Sequence, residues 1–430
     1  MSSGVIAGQA INFLGMPIIS RIYNPAAIGD YTVITSSASI INAVATLGLM
    51  TSFMLPKEDE KARGLSRLVT VSTLIITAIA ISLAYIFSDE YTLFDTEKIS
   101  YGAALLVLWA YSFFYTVSNI CYAYVNRMKQ YNVMFWNPII GSGINLILGI
   151  IFGALGWGFV GYTLAHIISF SANIIHLIVH ANPYARIVEK QNRAIPMLRE
   201  YIHFPKFQMP ANLISTVANQ IPVYVIGAAF STTVLGGYSM CMRIMNLPAS
   251  LLATPVNRIY FREASERYNN GKDIAEFTFK IMRTNIKLAI VPICILMVFG
   301  RQIFSFFLGA EWEMAGQMAS VIGVYQLLLF SSQCTSGDFT IIRKNSWNLI
   351  SSICILIMQI VLFVIFNFVV DSTVYMYLFA MALCLTIRLI VAQIVFFAYL
   401  KMKLKVYFIF LFKYIIAPCI ICGIINFIIY

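Results

Sequence analysis

The sequence predicts an all-α integral membrane protein. Two parallel six-helix lobes flank a central cleft, one further helix follows at the C-terminus, and the N-terminus is cytoplasmic, for about thirteen spans in all. Three observations predict it: a composition too apolar for a soluble fold, basic residues confined to alternate gaps, and a first half that resembles the second. The chain of 430 residues is 60% hydrophobic and 11% charged, whereas soluble domains carry about 25% charged residues. Its mean hydropathy is +0.81. Lipid must therefore cover part of the surface. The net charge of +11 would suggest nucleic acid in a soluble protein. Here the basic residues lie on one side, so membrane lipids with anionic headgroups are the expected partners, and nucleic acid is not.

The apolar runs place the spans at approximately 4–22, 31–54, 68–87, 101–124, 133–153, 157–179, 207–230, 234–256, 283–308, 316–338, 347–370, 374–399 and 406–429. Twenty-one of the 29 Lys and Arg residues fall in every second gap. These gaps include Lys57, Lys61, Arg63 and Arg67 after span 2, Arg186 to Lys206 after span 6, and Lys401, Lys403 and Lys405 after span 12. The other gaps hold only Lys98, with Arg21 closing span 1. Basic loops stay in the cytoplasm, so the N-terminus is cytoplasmic and Tyr430 external. A missed span would scramble the alternation, so its regularity supports the span count too. The external gaps are hairpins such as 153–157 and 370–374, and the largest, 88–100, is too small for a domain. The first apolar run lacks the basic region and cleavage site of a signal peptide. Five cysteines (Cys121, Cys241, Cys294, Cys354, Cys384) lie in apolar runs, as small buried hydrophobes do. Cys419 and Cys422 form a C-x-x-C without the soluble βαβ context of a redox motif.

The repeat sets the architecture. Residues 14–49 align with 219–254: Pro17 with Pro222, and Gly29-x-Tyr31 with Gly236-x-Tyr238. Asn126-Arg127 before span 5 matches Arg343-Lys344 before span 11. Each repeat holds six spans, and an even number returns the chain to its starting side. The halves are therefore parallel, related by an axis along the membrane normal, and their rocking gives alternating access. The expected organisation is an N-terminal lobe over 1–180, a cytoplasmic linker over 181–206, a C-terminal lobe over 207–400 and an additional transmembrane helix over 401–430. Pro17, Pro222 and Pro248 lie within spans, where they bend helices and act as hinges or as packing kinks.

Charges at membrane depth are functional by default. Arg243 lies in span 8, Arg388 near the middle of span 12, and Arg301 in the outer part of span 9. Asp30 opens span 2, and Asp338 closes span 10. The spans that hold Arg243 and Arg388 contain no carboxylate. A cation without a protein anion implies a cleft whose anion arrives with the ligand, and the guanidinium fork suits phosphate. The alternative is that each Arg snorkels or bonds helix carbonyls. Lys413, on the unrepeated last span, is not expected in the cleft. His166 and His176 on span 6 read as polar helix packing, with titration of His166 as the alternative. Polar stripes (Asn12; Ser36, Ser39, Asn42 and Thr46; Asn212, Ser215, Thr216 and Asn219) mark either interhelical contacts or a hydrated wall. No P-loop, metalloprotease motif or nucleophile elbow is present, so neither ATP-driven transport nor an enzyme is expected. No metal or organic cofactor is expected either; the energy source is a coupling ion, H+ or Na+, or the membrane potential.

Residues 196–263 resemble the middle of bacterial polysaccharide (O-antigen and capsule) flippases of the multidrug/oligosaccharidyl-lipid/polysaccharide exporter superfamily. The matching residues are Tyr201, Phe204, Pro205, Pro210, Pro222, Gly237, Tyr238, Arg243, Leu247, Pro248, Phe261, Arg262 and Glu263. Near the start, Pro17, Ser20, Arg21, Tyr23, Pro25, Gly29 and Tyr31 fit the same family, as does Leu55-Pro56-Lys57 after span 2. The resemblance covers most of residues 10–400. It implies a flippase of the bacterial inner membrane that carries an undecaprenyl-diphosphate-linked oligosaccharide from the cytoplasmic to the outer leaflet. Arg21 and Arg243 would meet the diphosphate, and a polysaccharide polymerase and a chain-length regulator would be partners. The competing readings are a drug or cation exporter of the same superfamily, which needs acidic residues in the cleft, and an integral-membrane polysaccharide polymerase or ligase, which needs a large external loop.

Overall fold

The computed structural model describes residues 2–87, 100–187, 194–344, 346–366 and 373–429, and among these every regular element is helical. Lys98, Lys190, Arg193, most of the external gap 88–100 and the start of the turn 370–374 lie outside the described residues. The chain divides into two compact units, Met1–Tyr224 and Val225–Tyr430.

The first unit begins with α1 (Ser2–Ile22) and α2 (Pro25–Ala45). The Asn24 side chain accepts the Ala27 N–H at 2.9 Å and Pro25 fills the first turn, so α2 starts at a capped position. Hydropathy alone placed this span at 31, because an apolar run does not register the cap. Asp30 consequently lies inside α2 rather than at its opening. The helix ends at Thr46, where Leu47 and Gly48 turn left-handed (φ 51° and 68°), and a 3-10 turn, Leu49–Met54, follows. Next come α3 (Asp59–Ile86), α4 (Tyr101–Arg127), α5 (Tyr131–Ala154), α6 (Gly158–His180), the short α7 (Ala194–Glu200) and α8 (Met209–Ala229). The boundary between the units falls within α8. Residues 194–206, expected in the linker, give Met197 and Tyr201 to a core with Leu65, Leu68 and Val69 of α3.

The second unit contains α9 (Thr232–Met245), α10 (Thr254–Asn269), α11 (Ala275–Leu308), α12 (Glu313–Gln333), α13 (Asp338–Ile341), α14 (Ser346–Val364), α15 (Val374–Tyr399), α16 (Leu404–Leu411) and α17 (Ala417–Ile429). Span 8, expected as one helix over 234–256, is broken. α9 stops at Met245, and a π turn, Ala249–Ala253, precedes α10. The break falls at Asn246, and Pro248 stands in the first helical turn after it, where its missing N–H leaves no ladder bond unmade. Pro17 and Pro222 do lie inside α1 and α8.

Each expected span falls on helical residues, and among the described residues ten helical stretches are long and apolar enough to cross a membrane by length and composition. The chain is a multi-pass membrane protein. The expected spans short of that measure are those on α2, α8 and α9, which carry the repeated motif. Their polar atoms need protein or water neighbours rather than acyl chains.

The repeat recurs in the packing. Pairings α2–α4, α3–α4, α4–α6 and α5–α6 reappear as α9–α12, α11–α12, α12–α15 and α14–α15. The helix ends match as well. After α4, Lys129 turns left-handed (φ 56°), with its N–H on the Asn126 carbonyl and the Gln130 N–H on that of Val125. After α12 and α13, Arg343 (φ 58°) and Lys344 bond Thr340 and Phe339 in the same way. This is a Schellman ending. It aligns Lys129, not Arg127, with Arg343, so the structural register is set by backbone geometry rather than by the basic pair.

Several basic residues near helix ends hold their loops. The Arg127 guanidinium donates to the Pro56 carbonyl at 2.6 Å and to the carbonyls of Phe53 and Lys57 at 3.3 Å, and it pairs with Asp59 at 3.1 Å. Arg67 bonds the carbonyls of Tyr184 and Ala185 at 3.0 Å. Burial pushes the Tyr184 hydroxyl above its ordinary range, so it meets Thr70 as a neutral group. Arg127→Ala should therefore destabilise the first unit by about 2–4 kcal/mol, since charge-assisted bonds to buried carbonyls are lost. A thermal unfolding series in detergent measures this, and a midpoint unchanged from wild type would refute it.

Candidate functional site

In the first unit, three tyrosines from alternate helices meet: Tyr31 of α2, Tyr111 of α4 and Tyr162 of α6. Tyr31 lies with ring centroids 4.7 Å from Tyr162 and 6.2 Å from Tyr111. His166, one turn after Tyr162, lies with its ring 4.8 Å from both, tilted against Tyr31 and edge-on to Tyr162, and its Nδ1 lies 3.0 Å from the Tyr162 carbonyl. Asp30 precedes Tyr31 in α2 and is half-buried. The Gly-x-Tyr motif thus places an aromatic wall beside an imidazole, with a carboxyl on the preceding residue. His176 instead lies 3.4 Å from the Asn137 amide, as polar helix packing.

The second unit repeats the trio. Tyr238 of α9 has Tyr325 of α12 and Tyr377 of α15 as electrostatic neighbours. These tyrosines are legible only in three dimensions, since in sequence only Tyr31 and Tyr238 carry a motif. In this unit the ionisable group beside the trio is Arg388 of α15, which acts on Tyr325. Its Nη1 donates to Ser351 Oγ of α14 at 2.8 Å, and its buried Nε has no hydrogen-bond partner. Among the described residues Arg388 makes no ion pair.

The remaining expected residues take different places. Arg21 is exposed at the end of α1, and its Nη1 donates to the Pro17 carbonyl at 3.0 Å. Arg243 is half-buried in the last turn of α9. Arg301 pairs with Glu313 at the start of α12, so its charge is met within the protein. The sequence hid this because the carboxylate belongs to the next helix, beyond a short turn. Asp338 opens α13 and accepts the Tyr260 hydroxyl, which also meets Thr278 at 2.9 Å. It therefore fastens α10 to the start of α13, with Thr278 of α11 on the same hydroxyl.

The polar stripes divide. Ser39 and Thr46 bond carbonyls of their own helix, Asn219 does the same on α8, and Asn12 reaches Ser142 on α5 at 3.2 Å. Asn42 is buried with neither amide atom hydrogen-bonded. Among the described residues no cluster of three or more His, Cys, Asp or Glu could hold a metal ion.

Comparison with known proteins places this arrangement. In solved structures the fold is similar to the lipid II flippase MurJ in an inward closed conformation, with a TM-score of 0.71 and 14% identity over 99% of this chain and 95% of that one. It is also similar to an inward-facing multidrug resistance MATE family transporter of the MOP superfamily, at 0.68 and 15% over 93% and 95%. A MOP superfamily transporter from Pyrococcus furiosus, described as having a binding pocket of reversed polarity, matches at 0.60 and 16% over 94% and 96%. None of the curated proteins matches the chain in sequence. The family model described as polysaccharide biosynthesis protein matches residues 18–317. The chain belongs to the polysaccharide biosynthesis protein family and has the fold of MOP superfamily membrane transporters.

Proposed function

We propose that the protein is a flippase that moves an undecaprenyl-diphosphate-linked oligosaccharide repeat unit from the cytoplasmic to the outer leaflet by alternating access of its two lobes. The observation that carries this reading is Arg388, a guanidinium at membrane depth with a buried, unbonded Nε and no ion pair among the described residues. A buried cation is stable only when paired, and a diphosphate supplies both the charge and the planar acceptor geometry that a guanidinium recognises. Arg243 and Arg21 are the further cations offered to the diphosphate. Asp30 and His166 form the coupling pair for H+ or Na+. The exported unit would serve O-antigen or capsule synthesis and pass to a polysaccharide polymerase and its chain-length regulator. Membership in a polysaccharide biosynthesis family supports this substrate class over a drug or cation exporter.

The test is export of surface glycan in cells whose own flippase is deleted. Arg243→Ala combined with Arg388→Ala should abolish complementation while the protein still reaches the membrane in normal amount. Full export by that double variant would remove the cationic path from the mechanism.

A further inference from the structure

One cation of the sequence has no place in the proposed translocation path: Lys413. It lies in a π turn, Phe412–Ile416, between α16 and α17, and this turn sits beside α11. Arg283 and Lys287 occupy one face of α11, four residues apart, and Lys413 joins them; all three side chains are exposed. Tyr414, next to Lys413 in the turn, stands among them: its hydroxyl has Arg283 as a hydrogen-bonding neighbour and Lys287 and Lys413 as neighbouring charges. Lys413 Nζ lies 5.7 Å from the Tyr414 ring centre. Among the described residues no carboxylate forms an ion pair with any of the three.

Depth and surroundings identify the ligand. From Lys287 to the end of α11 the helix rises about 32 Å, and from Lys413 to the end of α17 about 24 Å, against a hydrocarbon thickness of about 30 Å. The cations therefore lie near the inner edge of the hydrocarbon, on the side of the basic cytoplasmic gaps. Directly along the same helices run exposed apolar side chains: Leu288, Val291 and Ile295 on α11, Ile416 at the end of the π turn and Ile420 on α17. A headgroup-sized cationic cluster at the base of an apolar track fits a molecule with a phosphate at one end and acyl chains at the other. Free phosphate would gain nothing from the track, and three like charges this close repel one another unless an anion joins them.

The geometry points to a binding site for an anionic diacyl phospholipid of the cytoplasmic leaflet, its phosphate held by Arg283, Lys287, Lys413 and the Tyr414 hydroxyl and its chains lying against α11 and α17. The site is separate from the residues proposed to carry the glycan lipid, and it stands whether or not that reading does. Its effect would be to fasten the last span to α11, which no loop connects directly.

Native mass spectrometry of the purified full-length protein, delipidated and exposed to equal amounts of phosphatidylglycerol and phosphatidylcholine with the same acyl chains, tests it. The wild type should retain phosphatidylglycerol preferentially. The combined Arg283→Gln, Lys287→Gln and Lys413→Gln variant should lower that preference about tenfold or more, since each basic residue near an anionic headgroup contributes to the attraction. Lys287→Arg with Lys413→Arg should keep it, and so should Lys401→Gln with Lys403→Gln and Lys405→Gln, which remove equal charge from a neighbouring loop. Excess inorganic phosphate should not displace the lipid. An unchanged ratio in the first variant, an equal loss in the loop variant, loss in the charge-keeping variant or displacement by phosphate would each overturn the assignment.

Discussion

Gly316→Val is expected to prevent α11 and α12 from pairing and to leave little folded protein in the membrane. A Cβ at Gly316 would lie 2.2 Å from the Gly300 carbonyl oxygen and 2.6 Å from the Arg301 nitrogen, and one at Gly300 would lie 2.6 Å from the Gly316 oxygen. Both obstacles are backbone, so no side chain can yield and the helices must separate. Membrane helices gain little from burial against each other, because lipid tails are as apolar as the core. Close backbone approach through small residues is what holds such pairs. The separation would also release the Ser320 hydroxyl from the Met297 carbonyl, now 2.6 Å apart, and weaken the Arg301–Glu313 pair. The cost should exceed the usual 1–3 kcal/mol of overpacking. Gly323→Ala makes the contrast: its obstacle is the flexible Met297 side chain, so a much smaller loss is expected. Fluorescence-detected gel filtration after heating reads both, and a Gly316→Val protein that melts with the wild type would show that the two backbones are not in contact.

Arg388→Gln is expected to lower transport by roughly 10–100-fold while leaving the folded protein as stable as before or more so. A hydrogen bond to a charged group is worth about 1.5–3 kcal/mol, which corresponds to that range if the substrate phosphate is the missing partner. Glutamine keeps a donor for Ser351 but removes the charge. The stability effect has the opposite sign because an unpaired buried cation costs free energy in the empty protein, and its removal relieves that cost. Arg388→Lys should recover only part of the activity, as a point charge without the planar fork. Transport assays in reconstituted vesicles and thermal unfolding are read together. Reduced stability with unchanged transport would make Arg388 a packing residue.

Individual residues show why some features were legible and others were not. Arg388 was legible because hydrocarbon makes a charge conspicuous in any apolar run. Arg301 is equally conspicuous, but its partner Glu313 lies beyond a turn, and pairing across a turn leaves no periodic trace. The start of α2 was missed by six residues because Asn24 and Pro25 act through a backbone N–H and a fixed φ, neither of which alters hydropathy. Span 8 was drawn as continuous for a related reason: the residues around Pro248 stay apolar while the hydrogen-bond ladder fails. The tyrosine trios escaped because Tyr111, Tyr162, Tyr325 and Tyr377 carry no local motif.

By itself the sequence determined the class, where the long apolar helices lie and the internal repeat, and it gave each loop an expected side. These follow from one-dimensional quantities, since bilayer thickness dictates run length and charge dictates which loops stay inside. The tertiary structure alone decided which cations are neutralised, which polar side chains serve the helices that bear them, and which aromatic rings meet. Those outcomes depend on distances between helices far apart in the chain. In hydrocarbon, where no water intervenes, such contacts decide whether a charge is paired within the protein or left to a ligand.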